Sequence, residues 1–388
     1  MPIYADHAAT HPLRATAREA MAAALDLWGN PSSLHAAGRE AREALEGARA
    51  TVAGLVGAKP SEIIFTSGGS ESNTAAIRSA ALRGAGEGKR HILTTSIEHP
   101  SVLNTLRALT AEGFEVEILP VTAEGYIQAP QIAAAIRPDT ALVTVMYANN
   151  EIGTIQPIRD IAQVCRERGV AFHTDAVQAV GHIPVNAAEL GVDTLSFSGH
   201  KFGGPHGVGV LYIRKGTPFI PLIPGGHQEF GRRAGTEHLS GAVGLAAALE
   251  ESVRRMDQTN ALLRSLSGTL AGDLLRTIPG TRINGCPRCM SPYCDAPCSL
   301  PHIINLTFEG IDGEALVYRL DTEGIRISAG SACTAGSPDP SHVITALGVA
   351  PEEALGTIRI SLGEGNTDED VTRMTEAISR IVADLRGA

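Results

Sequence analysis

The sequence predicts an α/β protein with a large domain built on a mainly parallel sheet and a smaller α+β domain after it. Three observations predict this. The first half alternates apolar strand-like runs with segments of helical period, the pattern that lays helices over a parallel sheet. At 388 residues the chain exceeds what one ordinary core supports, so two domains are expected. A long alanine- and leucine-rich helix, Ser240 to about Leu275, stands where one domain would pass into the next. The expected boundaries are 14–255 for the large domain, and 1–13 with 256–388 for the small one.

In order along the chain, Arg39 to Val56 reads as an amphipathic helix, because Ala41, Leu45, Ala48, Val52 and Leu55 recur at helical spacing. Glu62 to Thr66 (EIIFT) is a short apolar strand that runs into Ser67-Gly68-Gly69-Ser70, with a helix from about Glu71. His91 to Thr95, Glu115 to Leu119, Ala141 to Tyr147, Ala171 to Thr174 and Thr194 to Ser198 are further strands, each stopping near polar or glycine-containing turns. Gly207 to Arg214 (GVGVLYIR) alternates apolar residues after a glycine-rich turn, which predicts a hairpin with the Thr194 strand. Beyond the long helix come a cysteine cluster, a strand at His302 to Phe308, a loop from Gly330 to Pro340, a strand at Thr357 to Ser361 and a closing helix from Asp368. There is no internal repeat.

Composition is that of a globular chain, 43% apolar and 19% charged, without a biased tract. The opening MPIYADHAAT has neither a basic n-region nor an apolar core, and no apolar run reaches bilayer length, so a cytoplasmic protein that makes no membrane contact is expected. A formal net charge of −10 argues against direct nucleic-acid binding, while leaving room for a local basic patch. Lysine is scarce: only Lys59, Lys89, Lys201 and Lys215 occur, so chemistry needing a deprotonatable amine has few candidates. Six cysteines in a chain expected to stay reduced suggest metal or redox chemistry before structural disulfides.

Three stretches carry chemistry. The turn Ser67 to Ser70 between strand and helix suits a phosphate, since glycine lets the backbone approach and the helix N-terminus offers free N–H groups. A ligand-free turn fits it at least as well. Asp175, just past the AFHTD run, sits where α/β proteins put working residues, although an aspartate there also caps helices. Lys201 lies in SFSGHKFGGPHGVG, a glycine-, serine- and histidine-rich turn between two apolar strands. That setting suits a desolvated amine forming a Schiff base more than it suits a solvated surface lysine. Ser198 and His200 flank it as candidate phosphate donors.

These stretches, together with YADHAATHP, GNPSSLHAAGREAR, FTSGGSESN, SIEHPSVL, NNEIGTIQPI, RRAGTEH, SAGSACTAG and TIRISLG, make the chain resemble cysteine desulfurases of the NifS/IscS type along nearly its whole length. The resemblance implies the PLP-dependent aminotransferase-like fold (fold type I), a homodimer, and pyridoxal 5′-phosphate (PLP) held by Lys201. It implies that Asp175 and Gln178 contact the ring, that His99 stacks on it and takes part in proton transfer, and that Gly69, Ser70, Ser198 and His200 hold the phosphate. Thr236 would reach the phosphate of the neighbouring subunit. Asn150 and Arg359 would hold the substrate carboxylate, a task suited to a planar guanidinium. Cys333, flanked by small residues and glycines, would be the nucleophile that takes sulfur from L-cysteine as a persulfide and passes it to an acceptor such as an iron–sulfur scaffold or a tRNA-thiolation protein.

The sequence departs from that pattern in the segment from Cys286 to Cys298. Cys286, Cys289, Cys294 and Cys298 could ligate zinc or an iron–sulfur cluster, or serve as spare thiols or a disulfide-prone loop. Smaller departures are His7 and His11 in DHAATHP, and Glu364 in SLGEGNT. A selenocysteine lyase, a cysteine or cystine β-lyase of the same fold, and a cluster-carrying assembly scaffold without catalysis are the alternative readings.

Overall fold

The computed structural model describes residues 2–286, 298–330 and 339–387. The chain opens with the two-residue strand β1 (Ile3–Tyr4) and helices α1 (Ala15–Leu25) and α2 (Ala36–Leu55). His35 caps α2 by accepting from the Gly38 N–H, so this helix starts a turn earlier than its apolar repeat announces. There follow β2 (Ile63–Thr66), α3 (Gly69–Gly86), β3 (His91–Thr95), α4 (Pro100–Ala111), β4 (Glu115–Leu119), α5 (Ala129–Ala135), β5 (Thr140–Thr144), α6 (Ile158–Glu167), β6 (Ala171–Asp175), the short α7 (Ala187–Leu190), β7 (Thr194–Ser198) and β8 (Gly209–Ile213).

Strands β2 to β8 form one seven-stranded sheet in the order β2-β8-β7-β6-β5-β3-β4. Only β8 runs against its neighbours, so the hairpin with β7 is present and the C-terminal ends of β2, β3, β5, β6 and β7 share one edge. β5, β6 and β7 are buried along almost their whole length although Thr, Ser, His and Asp interrupt their apolar residues. The strand expected to reach Tyr147 leaves regular pairing after Thr144. Even so, Val145 and Tyr147 still donate to the carbonyls of His173 and Asp175 at 3.2 and 2.7 Å. The core on this sheet includes Phe172, Phe197 and Phe202, all fully buried, each such side chain contributing about 1.5–3 kcal/mol on burial.

The long helix α8 (Leu239–Thr277) leads to a second core. There β9 (Thr281–Ile283) and β10 (Ile303–Phe308) pair with β12 (Thr357–Ser361) in the order β12-β10-β9, all antiparallel. Between β10 and β12 lie α9 (Gly313–Thr322), β11 (Ile325–Arg326), α10 (His342–Ala346) and α11 (Pro351–Ala354); α12 (Asp368–Gly387) closes the chain. β1 pairs with β11, which ties the N-terminus into this second core. Among the described residues, no helix is long and apolar enough to cross a membrane.

Candidate active site

Lys201 ends a single 3-10 turn, Gly199–Lys201, directly after β7. Its Nζ donates to the carbonyls of Ala8 and Ala9, both at 2.8 Å, and the Ala8 carbonyl also accepts from Gln178 Nε2 at 2.9 Å. The N-terminal segment holds the turn from outside: the His11 N–H donates to the His200 carbonyl and Arg14 Nε to the Phe202 carbonyl. His182 Nε2 meets the Lys201 carbonyl at 3.0 Å.

Asp175 is the last residue of β6 and is buried. One carboxylate oxygen accepts the Val177 N–H at 3.0 Å, the other accepts Asn73 Nδ2 at 2.6 Å. Asn73 stands on α3 one turn after Gly69, on the face turned to the strand ends. Its Oδ1 meets His173 Nε2 at 3.1 Å, and burial pushes His173 down to about 3, so that ring is neutral. His99 is the N-cap of α4, and its Nδ1 faces Ser101. Burial lowers the His99 pKa, against the attraction of Asp175 and with the repulsion of Lys201 and His342.

At the other end, the first turn of α3 faces Ser198 and His200. A Cβ placed on Gly209 would come within 2.6 Å of the Gly68 Cα, so close backbone approach requires glycine there, and one on Gly69 would come within 2.6 Å of the Val177 side chain at Cγ2. His200 is pushed down to about 4 by burial and by the charge of Lys201. Arg359, on β12, is fully buried; Nη1 donates to the Asn150 carbonyl at 2.9 Å and Nη2 to Asp6 Oδ1 at 2.8 Å. Arg359 is therefore not a surface ion pair, and its Nε has no partner among the described residues.

With the exception of Thr236 and Cys333, every residue that the sequence assigned to the cofactor or substrate lines one cavity of about 220 Å³. Thr236 is exposed and lies outside it. Cys333 lies outside the described residues. The chain leading to it departs beside Arg359, since Ser328 and Arg359 exchange backbone hydrogen bonds of 3.1 and 2.6 Å. Of the four clustered cysteines, Cys289 and Cys294 are also outside the described residues, while Cys286 and Cys298 bring their sulfurs within 2.9 Å. Among the described residues no group of His, Cys, Asp or Glu is arranged to hold a metal ion.

Sequence reasoning missed Asn73, Ser101, Asp6 and the carbonyls of Ala8 and Ala9. A signal for Asn73 was its spacing of four from Gly69. The carbonyls have none, because any residue supplies one. The cavity fits PLP on its own chemistry, having an amine, a buried carboxylate, a glycine cradle at a helix N-terminus and, in Gln178 Oε1, a buried acceptor without a partner among the described residues.

The aminotransferase class-V family model matches residues 3–374. The chain belongs to the class-V aminotransferase family. Among its class-V relatives, it is 46% identical over 385 residues to cysteine desulfurase IscS of Dictyoglomus turgidum, covering 99% of this chain and 95% of that one. It is equally 46% identical to cysteine desulfurase IscS of Methanosarcina thermophila, covering 99% and 93%. A solved structure described as a NifS-like protein superposes with a TM-score of 0.91 at 37% identity, covering 99% of this chain and all of that one. The PLP-dependent fold expected from the sequence is thus the fold observed.

Proposed function

We propose that this cavity converts L-cysteine to L-alanine and sends the sulfur out on Cys333; the chain is a PLP-dependent cysteine desulfurase. The observation that carries the reading is the opening of the Lys201 amine and the Asp175 carboxylate on one cavity, in a chain that matches cysteine desulfurases over nearly its whole length. PLP, held through Lys201, supplies an aldehyde for the substrate amine and a ring that stores the electron pair left when the Cα proton departs. Asp175 would pair with the ring nitrogen, its two carboxylate oxygens held by Asn73 Nδ2 and the Val177 N–H. Ser70, Ser198, His200 and the first N–H groups of α3 would hold the phosphate.

Lys201, once displaced by substrate, is the amine that removes the Cα proton. Arg359 orients the substrate carboxylate, its own geometry fixed by Asp6 and the Asn150 carbonyl. The Cys333 thiolate then forms an S–S bond with the substrate sulfur as the C–S bond breaks, and alanine leaves after reprotonation. The test is the Cys333→Ser variant: it should keep the visible absorption of bound PLP and lose sulfide release with dithiothreitol. Full residual turnover would reject Cys333 as the nucleophile.

The persulfide then passes to an acceptor protein serving iron–sulfur assembly or tRNA thiolation. The homodimer, with Thr236 of one subunit serving the other's phosphate, and zinc or an iron–sulfur cluster at the four clustered cysteines belong to the same reading. The short Cys286–Cys298 separation supports only the convergence of those two sulfur atoms. Metal and labile-sulfide analysis of anaerobically purified protein decides the cluster; a metal-free sample defeats it.

A further inference from the structure

His99 is an imidazole used as a helix cap. Its Nδ1 accepts the backbone N–H of Ser101 at 3.1 Å and lies 2.8 Å from Ser101 Oγ. A backbone N–H only donates, so Nδ1 must offer its lone pair, and the single proton of the neutral ring sits on Nε2. The hydroxyl is compatible with the same answer. Asn73 Nδ2 donates to Ser101 Oγ at 2.9 Å, and the hydroxyl's own proton can then go to Nδ1.

The orientation of Asn73 is fixed in turn. Its NH₂ group must face Asp175, whose carboxylate only accepts, at 2.6 Å. Its Oδ1 then takes the N–H of His173 Nε2 at 3.1 Å, while His173 Nδ1 accepts from Thr194 Oγ1 at 2.9 Å. One amide thus spans the carboxylate of Asp175 and the hydroxyl that sets His99. Protonating Nδ1 would put an N–H against the Ser101 backbone N–H at the positive end of α4. Among the described residues, the charged and titratable groups that act on the ring are Asp175, which favours the cation, and Lys201 and His342, which oppose it together with burial.

We propose that His99 serves the reaction as a neutral hydrogen-bond donor through Nε2–H, not as a base, and that Ser101 and Asn73 are the positioning residues that hold this tautomer. The inference rests on reading the cavity as the desulfurase site, where base work then falls to Lys201. A helix N-terminus that keeps a histidine neutral so that it polarises its partner is an established physical arrangement.

The first experiment needs no cofactor. In the full-length apo protein labelled with ¹⁵N-histidine, long-range ¹H–¹⁵N spectra should show a pyridine-type Nδ1 and a pyrrole-type Nε2 for His99. The ring should not titrate near its ordinary value of about 6.5. A pyrrole-type Nδ1, or a cation forming near that value, overturns the proposal. In the Ser101→Ala variant, the loss of one of two donors should shift the Nδ1 resonance and raise the pH at which the ring titrates, and Ser101→Thr should restore both. An unmoved resonance would remove Ser101 and Asn73 from the proposal.

The second experiment uses the PLP-loaded enzyme. The His99→Gln variant keeps a side-chain N–H, so its kcat/KM should fall about tenfold or less, the worth of one altered hydrogen bond. A loss of about 10²–10⁴-fold, the share of a general base, would overturn the donor role. Absence of PLP absorption in the unaltered protein would instead reject the desulfurase reading and leave the tautomer result standing.

Discussion

The Glu229→Ala variant is expected to destabilise the α/β core by about 3–5 kcal/mol, the cost of leaving one member of a buried ion pair alone. Arg49 on α2 and Glu229 are both buried and joined twice, Nη1 to Oε2 at 2.6 Å and Nη2 to Oε1 at 2.9 Å. Arg49 Nη1 also donates to the Ile63 carbonyl at 2.8 Å, and Glu229 Oε2 accepts the Phe65 N–H at 2.9 Å, so the pair fixes the first strand of the sheet. The guanidinium lies 5.0 Å from the ring centres of both Phe65 and Phe230. Glu229 and Phe230 adopt left-handed φ of 47° and 59°, a strain of about 1–3 kcal/mol each that the ion pair sustains.

Truncation leaves a guanidinium and the Phe65 N–H without their acceptor. Glu46, half exposed and 3.1 Å from Arg49 Nε, offers partial compensation and places the loss at the lower end of the range. Urea unfolding followed by circular dichroism at fixed protein concentration measures it. The double variant Arg49→Met with Glu229→Leu should recover most of the loss, because the desolvated charges disappear together. A cost below about 1 kcal/mol for Glu229→Ala, or a double variant no more stable than the single one, would refute the reasoning.

Two other perturbations test the site. Burial pushes Glu98 up to about 8, with Thr95 Oγ1 and the Met146 N–H donating to one oxygen and the other lacking a partner among the described residues. The native state therefore keeps a proton that the unfolded chain releases near the ordinary glutamate value. This contribution to stability is complete at low pH and declines by up to about 1.4 kcal/mol per pH unit as pH rises towards 8, then levels. The Glu98→Gln variant should flatten that part of the profile, and an unchanged slope in urea unfolding against pH would contradict it. The Asp175→Asn variant has one acceptor oxygen for two donors, so its NH₂ must face either Asn73 Nδ2 or the Val177 N–H. Loss of a hydrogen bond to a charged group predicts a fall in kcat/KM of about 10- to 100-fold with the far-ultraviolet spectrum unchanged. Turnover within twofold of the parent would argue against a role at the ring.

Strand and helix positions were legible wherever burial alternates or runs unbroken. His91–Thr95, Glu115–Leu119, Thr194–Ser198 and Thr357–Ser361 fall where the sequence places them. Boundaries moved where a single polar contact decides them. α2 begins at Ala36, before Arg39, because the His35 cap outweighs the apolar period at the helix end, and α3 begins at Gly69, before Glu71, without a side-chain cap. Two of the smaller departures noted in the sequence, Glu364 and His7, become intelligible only in space. Glu364 pairs with Arg14 at 2.6 Å and Arg255 at 2.8 Å, and so belongs to the clamp around the Lys201 turn. His7 is packed between Tyr4 and His11, with ring centres 4.9 Å from each, and burial pushes it down to about 3, so it adds no charge beside the cavity.

The part of the site least readable in the sequence is the N-terminal segment, which does more than complete the second core. Asp6 orients Arg359, the Ala8 carbonyl joins Gln178 to Lys201, the His11 N–H holds His200, and Arg14 ties the Phe202 carbonyl to Glu364. Four of these contacts use backbone atoms, and backbone atoms carry no residue signature, so only the resemblance of YADHAATHP pointed to this stretch. The consequence is physical: the amine and the substrate-facing guanidinium are positioned by one strap that is itself anchored to β11 through β1. Lys201 can leave the Ala8 and Ala9 carbonyls only by giving up two 2.8 Å hydrogen bonds. The strap thus offers the free Lys201 amine two backbone acceptors at the edge of the cavity.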